Sequence, residues 1–176
     1  MTFKKFLPVA LMVAATAAIY VIIAQYLKIS ALWLPFIGWP LYFLAGAKPS
    51  KLHKEIIGIT GGILFAYVTL LILPIFSGLG SFALPTIVFF VSLIIVILEL
   101  TDWFELAPAY FFAYASYFAY HFGGFGGPGA TIFSNMLPVW ILIMVGLGLG
   151  YISAFLKVKI LEKEGLFGKD QNVMND

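Results

Sequence analysis

The residues best suited to chemistry in this 176-residue chain lie in one short stretch, Leu106 to Phe122. Tyr110, Tyr114, Tyr117 and His121 follow steps of 4, 3 and 4, which on a helix places them in one continuous stripe. An unpaired hydroxyl in hydrocarbon is costly, so such a stripe must face protein or water. One reading is a pore or pocket wall that offers hydroxyl groups and π faces to a small solute. The competing reading is that the phenols bond neighbouring helices or join interfacial aromatic belts. A belt accounts for Tyr110 and Tyr120, near the ends, more easily than for Tyr114 and Tyr117 in the middle. Ala109, Ala113 and Ser116 form an adjacent stripe of small residues that admits a second backbone.

Other constellations are thinner. Gly58 and Gly62, and again Gly146 and Gly150, have the spacing that permits close helix crossing. Packing within one chain is the simpler use of such pairs, and a seam between copies the other. Glu99 is the one acid inside a predicted span, which makes it a candidate for gating. It lies near a charged end beside Asp102 and Glu105, where water is within reach. Catalytic sets fail on spacing. His53 and His121 are predicted on opposite sides of a membrane, so they cannot share a metal. Ser116 lies five residues from His121 and off its face. In Gly124-Phe125-Gly126-Gly127-Pro128-Gly129 two glycines have phosphate-loop spacing, but Ala130 stands where the lysine is needed. An enzyme is not expected, and no cofactor or metal is implied.

The elements that must carry these residues follow from composition. Hydrophobic residues make up 62% of the chain and charged residues 10%, against about 25% charged in a soluble domain. Ten lysines and no arginine against eight acids leave a net charge of +2, too little to hold nucleic acid by phosphate neutralisation. With no cysteine there is no disulfide or thiolate chemistry. Apolar runs at 6–27, 31–47, 56–76, 82–101, 106–122 and 137–156 predict an all-α integral membrane protein, a six-helix bundle forming a single domain over residues 1–160. Residues 161–176 form a polar cytoplasmic tail. The first run continues through Ile19, Val21, Ile22 and Ile23, too long for a signal core, so it is read as a retained span. The second and fifth runs, at 17 residues, sit at the lower limit for crossing, and re-entrant segments are the alternative.

Lysine placement favours six crossings with both termini cytoplasmic. Lys4, Lys5, Lys48, Lys51, Lys54, Lys157, Lys159, Lys163 and Lys169 then share the inner side and Lys28 stands alone outside. Re-entrant second and fifth segments would reduce that split to six against four. The two three-span halves show a faint repeat. Pro8 and Pro85 open spans one and four at an offset of 77, and Tyr42-Phe43 and Tyr117-Phe118 match at an offset of 75. Three spans per half make the repeats inverted, a construction common in channels and secondary transporters. Tyr42 therefore joins the stripe as a pore-lining or solute-binding candidate.

In order along the chain stand Trp33-x5-Trp39-x2-Tyr42-Phe43-x-Ala45, Gly58-x3-Gly62, Ala107-Pro108-x7-Ser116-Tyr117-Phe118-Ala119, Leu137-Pro138 and Gly148-x-Gly150-Tyr151. This set resembles the YcdZ-like family of bacterial inner-membrane proteins, a domain of unknown function, over about residues 10 to 155. The resemblance implies a small multi-pass inner-membrane protein and brings no activity with it. From the residues themselves the expectation is a homo-oligomeric channel or facilitator for a small neutral or weakly basic solute of the size of ammonia, urea or a short amide. Its partners would be the lipid bilayer and that solute. The alternative is a structural or accessory membrane subunit without transport of its own.

Overall fold

A computed structural model describes residues 3–165, which are helical or in turns, bends and irregular links, with no strand among them. The helices run in the order α1 (Phe3–Tyr26), α2 (Pro35–Leu44), α3 (Leu52–Ile72), α4 (Ala83–Leu98), α5 (Ala107–Phe122) and α6 (Met136–Lys163). Short 3-10 segments stand at Pro49–Lys51 and Leu73–Phe82. The helical stretches Phe3–Tyr26, Pro49–Leu98 and Met136–Lys163 are long and apolar enough to cross a membrane. Leu11, Ile19 and Ile22 of α1 and Phe89, Phe90 and Ile97 of α4 are exposed, as lipid-facing side chains are. The chain is an all-helical membrane protein.

Helix lengths differ from the six-span expectation. At about 1.5 Å per residue, α1, α3 and α6, with 24, 21 and 28 residues, reach about 36, 32 and 42 Å. The second segment, expected to cross as 31–47, is helical for ten residues, about 15 Å or half of a ~30 Å hydrocarbon core. Helices α4 and α5, with 16 residues each, reach about 24 Å. At the other end of the chain, α6 runs through Lys163, so the first residues of the expected tail are helical. The rest of that tail, from residue 166, lies outside the described residues.

Backbone chemistry explains the brevity of α2. Pro35 opens it, and Pro40 inside it has no N–H for the carbonyl one turn back. At its end Gly46 takes φ 96°, the Gly46 N–H bonds the Phe43 carbonyl at 3.1 Å and the Ala47 N–H bonds the Tyr42 carbonyl at 2.9 Å. This is a Schellman stop. Helix α5 ends identically, with Gly124 at φ 70° and the Phe125 N–H on the Tyr120 carbonyl at 3.1 Å. The Tyr120 and Phe125 rings, 6.0 Å apart, supply the apolar contact that accompanies the motif.

The chain divides into two compact units. One gathers the N-terminal part up to Leu52 with the part from Val145 onward, and the other runs from His53 to Met144. In the first unit the Tyr20 hydroxyl donates to the Leu32 carbonyl at 2.9 Å, and the Tyr20 and Phe36 rings meet edge to face at 5.5 Å. In the second, Ile87, Val91 and Ile95 of α4 form an apolar cluster with Ala107 and Tyr110 of α5.

Candidate functional site

Within the second unit, α5 lies along the glycine face of α3. A Cβ at Gly58 would stand 2.6 Å from the Ala109 Cβ, and one at Gly62 would fall on the Tyr110 carbonyl and the Ala113 Cβ. Both contacts rise together along the two helices, so α3 and α5 run parallel. Only glycine lets the backbones approach so closely. The first unit repeats the device. Position 146 of α6 faces the Pro35 carbonyl, and a Cβ at Gly150 would stand 2.7 Å from the Tyr42 Cβ and 2.8 Å from the Trp39 carbonyl. Helices α2 and α6 are thus parallel too, and the Tyr42 and Tyr151 rings meet at 5.9 Å.

The tyrosine stripe sits on the α5 side of this packing. Tyr110 and Tyr117 are buried and Tyr114 half-buried. The Tyr114 and Thr69 hydroxyls are 3.0 Å apart, and the Thr69 hydroxyl also donates to the Phe65 carbonyl at 2.8 Å. With Thr69 committed as donor, Tyr114 is the donor between the two. The Tyr117 hydroxyl donates to the Ile132 carbonyl in the loop before α6. His121 stacks on Tyr117, and its Nδ1 lies 2.8 Å from Asn135 Nδ2, so the amide N–H donates to the ring nitrogen. These bonds tie the loop 123–135 to α5. The Tyr110 hydroxyl is buried without a hydrogen-bond partner. Tyr42 is fully buried in the first unit. Glu99 is exposed at the C-terminal cap of α4.

Two largely apolar grooves open on the second unit. One, of about 470 Å³, is lined by residues that include Thr60, Leu64, Phe133 and Trp140. The other, of about 340 Å³, is lined by residues that include Ile56, Gly61, Phe104 and Tyr110. They share Thr60, whose hydroxyl donates to the Ile56 carbonyl at 2.7 Å and accepts from the Trp140 indole N–H at 3.1 Å. Tyr42, Tyr114, Tyr117 and His121 line neither groove. Among the described residues no group of three His, Cys, Asp or Glu could hold a metal ion.

Sequence reasoning missed the polar end of α3. Because the helix begins at Leu52, Glu55 belongs to it, and its side chain is fully buried. Neither carboxylate oxygen has a hydrogen-bond partner. Lys54, next to it, turns to the connection between α4 and α5, where its ammonium meets Asp102 at 2.7 Å and Glu105 at 2.8 Å. One signal could have found Glu55. It lies three and seven residues before Gly58 and Gly62, on the same helical face as the glycines.

A model of the family of proteins of unknown function DUF1097 matches residues 10–157, and the chain belongs to that family. Comparison with curated proteins gave no significant match, and neither did comparison with solved structures.

Proposed function

We propose that this DUF1097 protein is a channel or facilitator for a small neutral or weakly basic solute, of the size of ammonia, urea or a short amide. It would work in the bacterial inner membrane as a homo-oligomer with both termini cytoplasmic. The observation that carries the reading is the pair of glycine-face contacts made by α2 and α5, neither of which is as long as the helix it lies on. Each is second in its three-helix half, follows a proline at or near its start, and lies parallel to a long helix on a glycine face. Short or interrupted segments in corresponding positions of two halves are the usual mark of a transporter's solute site. With α2 taken from one half and α6 from the other, and α5 and α3 likewise, the two contacts correspond as inverted repeats require. The lysine distribution supports the orientation.

On this reading Tyr42, Tyr110, Tyr114, Tyr117 and His121 line the path when it opens, and the hydroxyl bonds of Tyr114 and Tyr117 belong to its closed form. Glu99 would act at the cytoplasmic rim as a gate. Hydroxyl and aromatic linings suit desolvation of a small polar molecule, with selectivity from diameter and hydrogen-bond partners. Stopped-flow light scattering on proteoliposomes tests this with ammonia, urea and short amides. At least one solute should equilibrate faster than in empty vesicles, and equal permeability for all of them overturns the proposal. Orientation is checked by single cysteines at Ser50 and Ser81 in this cysteine-free chain. An impermeant maleimide added to intact cells should label Ser81→Cys and spare Ser50→Cys.

The accessory-subunit reading is favoured by one observation, the engagement of the Tyr114 and Tyr117 hydroxyls by Thr69 and Ile132. It differs in outcome: the glycine faces then serve assembly, and no solute crosses.

A further inference from the structure

We infer that Glu55 is a proton-binding site, carrying its proton in the packed form of the protein and releasing it when the end of α3 opens to water. The argument starts from burial. The side chain is fully inaccessible, and both carboxyl oxygens lack a hydrogen-bond partner. An ionised carboxylate in that position would be an uncompensated buried charge, one of the costliest arrangements in a protein interior. A carboxylic acid is neutral and far cheaper to bury.

The nearby charges do not change this. Lys54 is one residue away, but its ammonium is held by two other carboxylates, Asp102 and Glu105, both on the α4–α5 connection. His53 turns to the Trp103 ring, 5.5 Å between centroids. Of Asp102, Glu105 and Glu55, the first two hold the Lys54 ammonium, and Glu55, whose carboxyl oxygens have no hydrogen-bond partner, is the buried one.

The ion pairs of the neighbouring Lys54 reach water. The Asp102 side chain is 80% exposed and that of Glu105 39% exposed, so Lys54 links the base of α3 to a wet surface. When those pairs part, the carboxyl O–H bond breaks, its electron pair stays on Glu55, and water takes the proton. If the transport reading holds, this makes the solute class one that exists in neutral and protonated forms, with Glu55 coupling its passage to a proton. That consequence rests on the transport reading, whereas the protonation of Glu55 does not.

Infrared spectroscopy of the full chain in lipid vesicles at neutral pH is the test, because it reads the carboxyl without any solute. The wild type should show the carbonyl stretch of a protonated acid, shifted in heavy water. Glu55→Gln should lose that band, and Glu55→Asp should keep it at a changed frequency. Should Glu55→Gln lose helix content, the shift in Glu55→Asp supplies the assignment. Identical acid-region spectra for wild type and both variants overturn the proposal. So does a Glu55 carboxylate band that depends on sodium or potassium concentration, which would make the ligand a metal cation.

Discussion

In one unit α5 lays the Tyr110 carbonyl against Gly62 of α3, and in the other α2 lays the Pro35 carbonyl against Gly146 of α6. The backbone device is the same, but the side chains around it diverge. Around α5 the contact is polar: Tyr114 bonds Thr69, Tyr117 bonds the Ile132 carbonyl and His121 meets Asn135. Around α2 it is aromatic, with Tyr20 on Phe36, Phe36 on Trp39 at 6.1 Å and Tyr42 on Tyr151. A glycine face thus fixes where a short helix lies and leaves its chemistry free to vary. In this protein the hydroxyl network, the buried Glu55 and the two grooves described fall in the unit that holds α3 and α5.

The glycines give the largest test of that comparison. Gly62→Ala and Gly146→Ala each drive a methyl into a backbone carbonyl that cannot rotate away. Each should cost about 1–3 kcal/mol, read as a lower melting temperature in detergent or nanodiscs. Similar losses sharpen the equivalence of the two pairs, and a loss at one position alone breaks it. Gly148, on α6 with open space around it, is the control. Gly148→Ala should gain about 0.5–1 kcal/mol from helix entropy.

The hydroxyls come next. Tyr114→Phe abandons the Thr69 bond and should cost about 0.6 kcal/mol, the average for interhelical bonds in membranes. Tyr110→Phe removes a buried hydroxyl with no partner and should be neutral or stabilising. If both variants melt alike, the polar character assigned to the α5 contact carries no energy. The smallest effect belongs to Lys54→Met. Asp102 is largely exposed and Glu105 partly so, so melting temperature should move little, and the difference from wild type should shrink further in high salt.

Much of this was readable in the chain. Steps of 4, 3 and 4 put the tyrosines and His121 on one face, and the glycine spacing marked the long helices that receive a neighbour. What escaped did so for physical reasons. Hydropathy counts Ala31 to Ala47 as one apolar run, but it does not register the missing N–H of Pro40 or the αL residue Gly46 that stop α2. A boundary drawn at Ile56 by polarity excluded Glu55, although helical hydrogen bonding begins before the apolar surface does. The partners of Tyr114 and Tyr117 lie 45 and 15 residues away, and no periodicity within one segment can name them.

The two glycine contacts also differ in when they can form. Gly62 and Tyr110 are 48 residues apart, whereas Pro35 and Gly146 are separated by 111. At synthesis rates of about 5–20 residues per second, α3 receives α5 after roughly 2–10 s, but α2 waits roughly 6–22 s for α6. During that interval a ten-residue helix, too short to span the hydrocarbon core, sits in or beside the bilayer without its packing partner, a state hydrocarbon tolerates poorly. Ribosome-bound chains arrested before residue 146 should therefore hold a protease-resistant α3–α5 region and a sensitive α2, and insertion of the first half becomes final only when the last helix arrives.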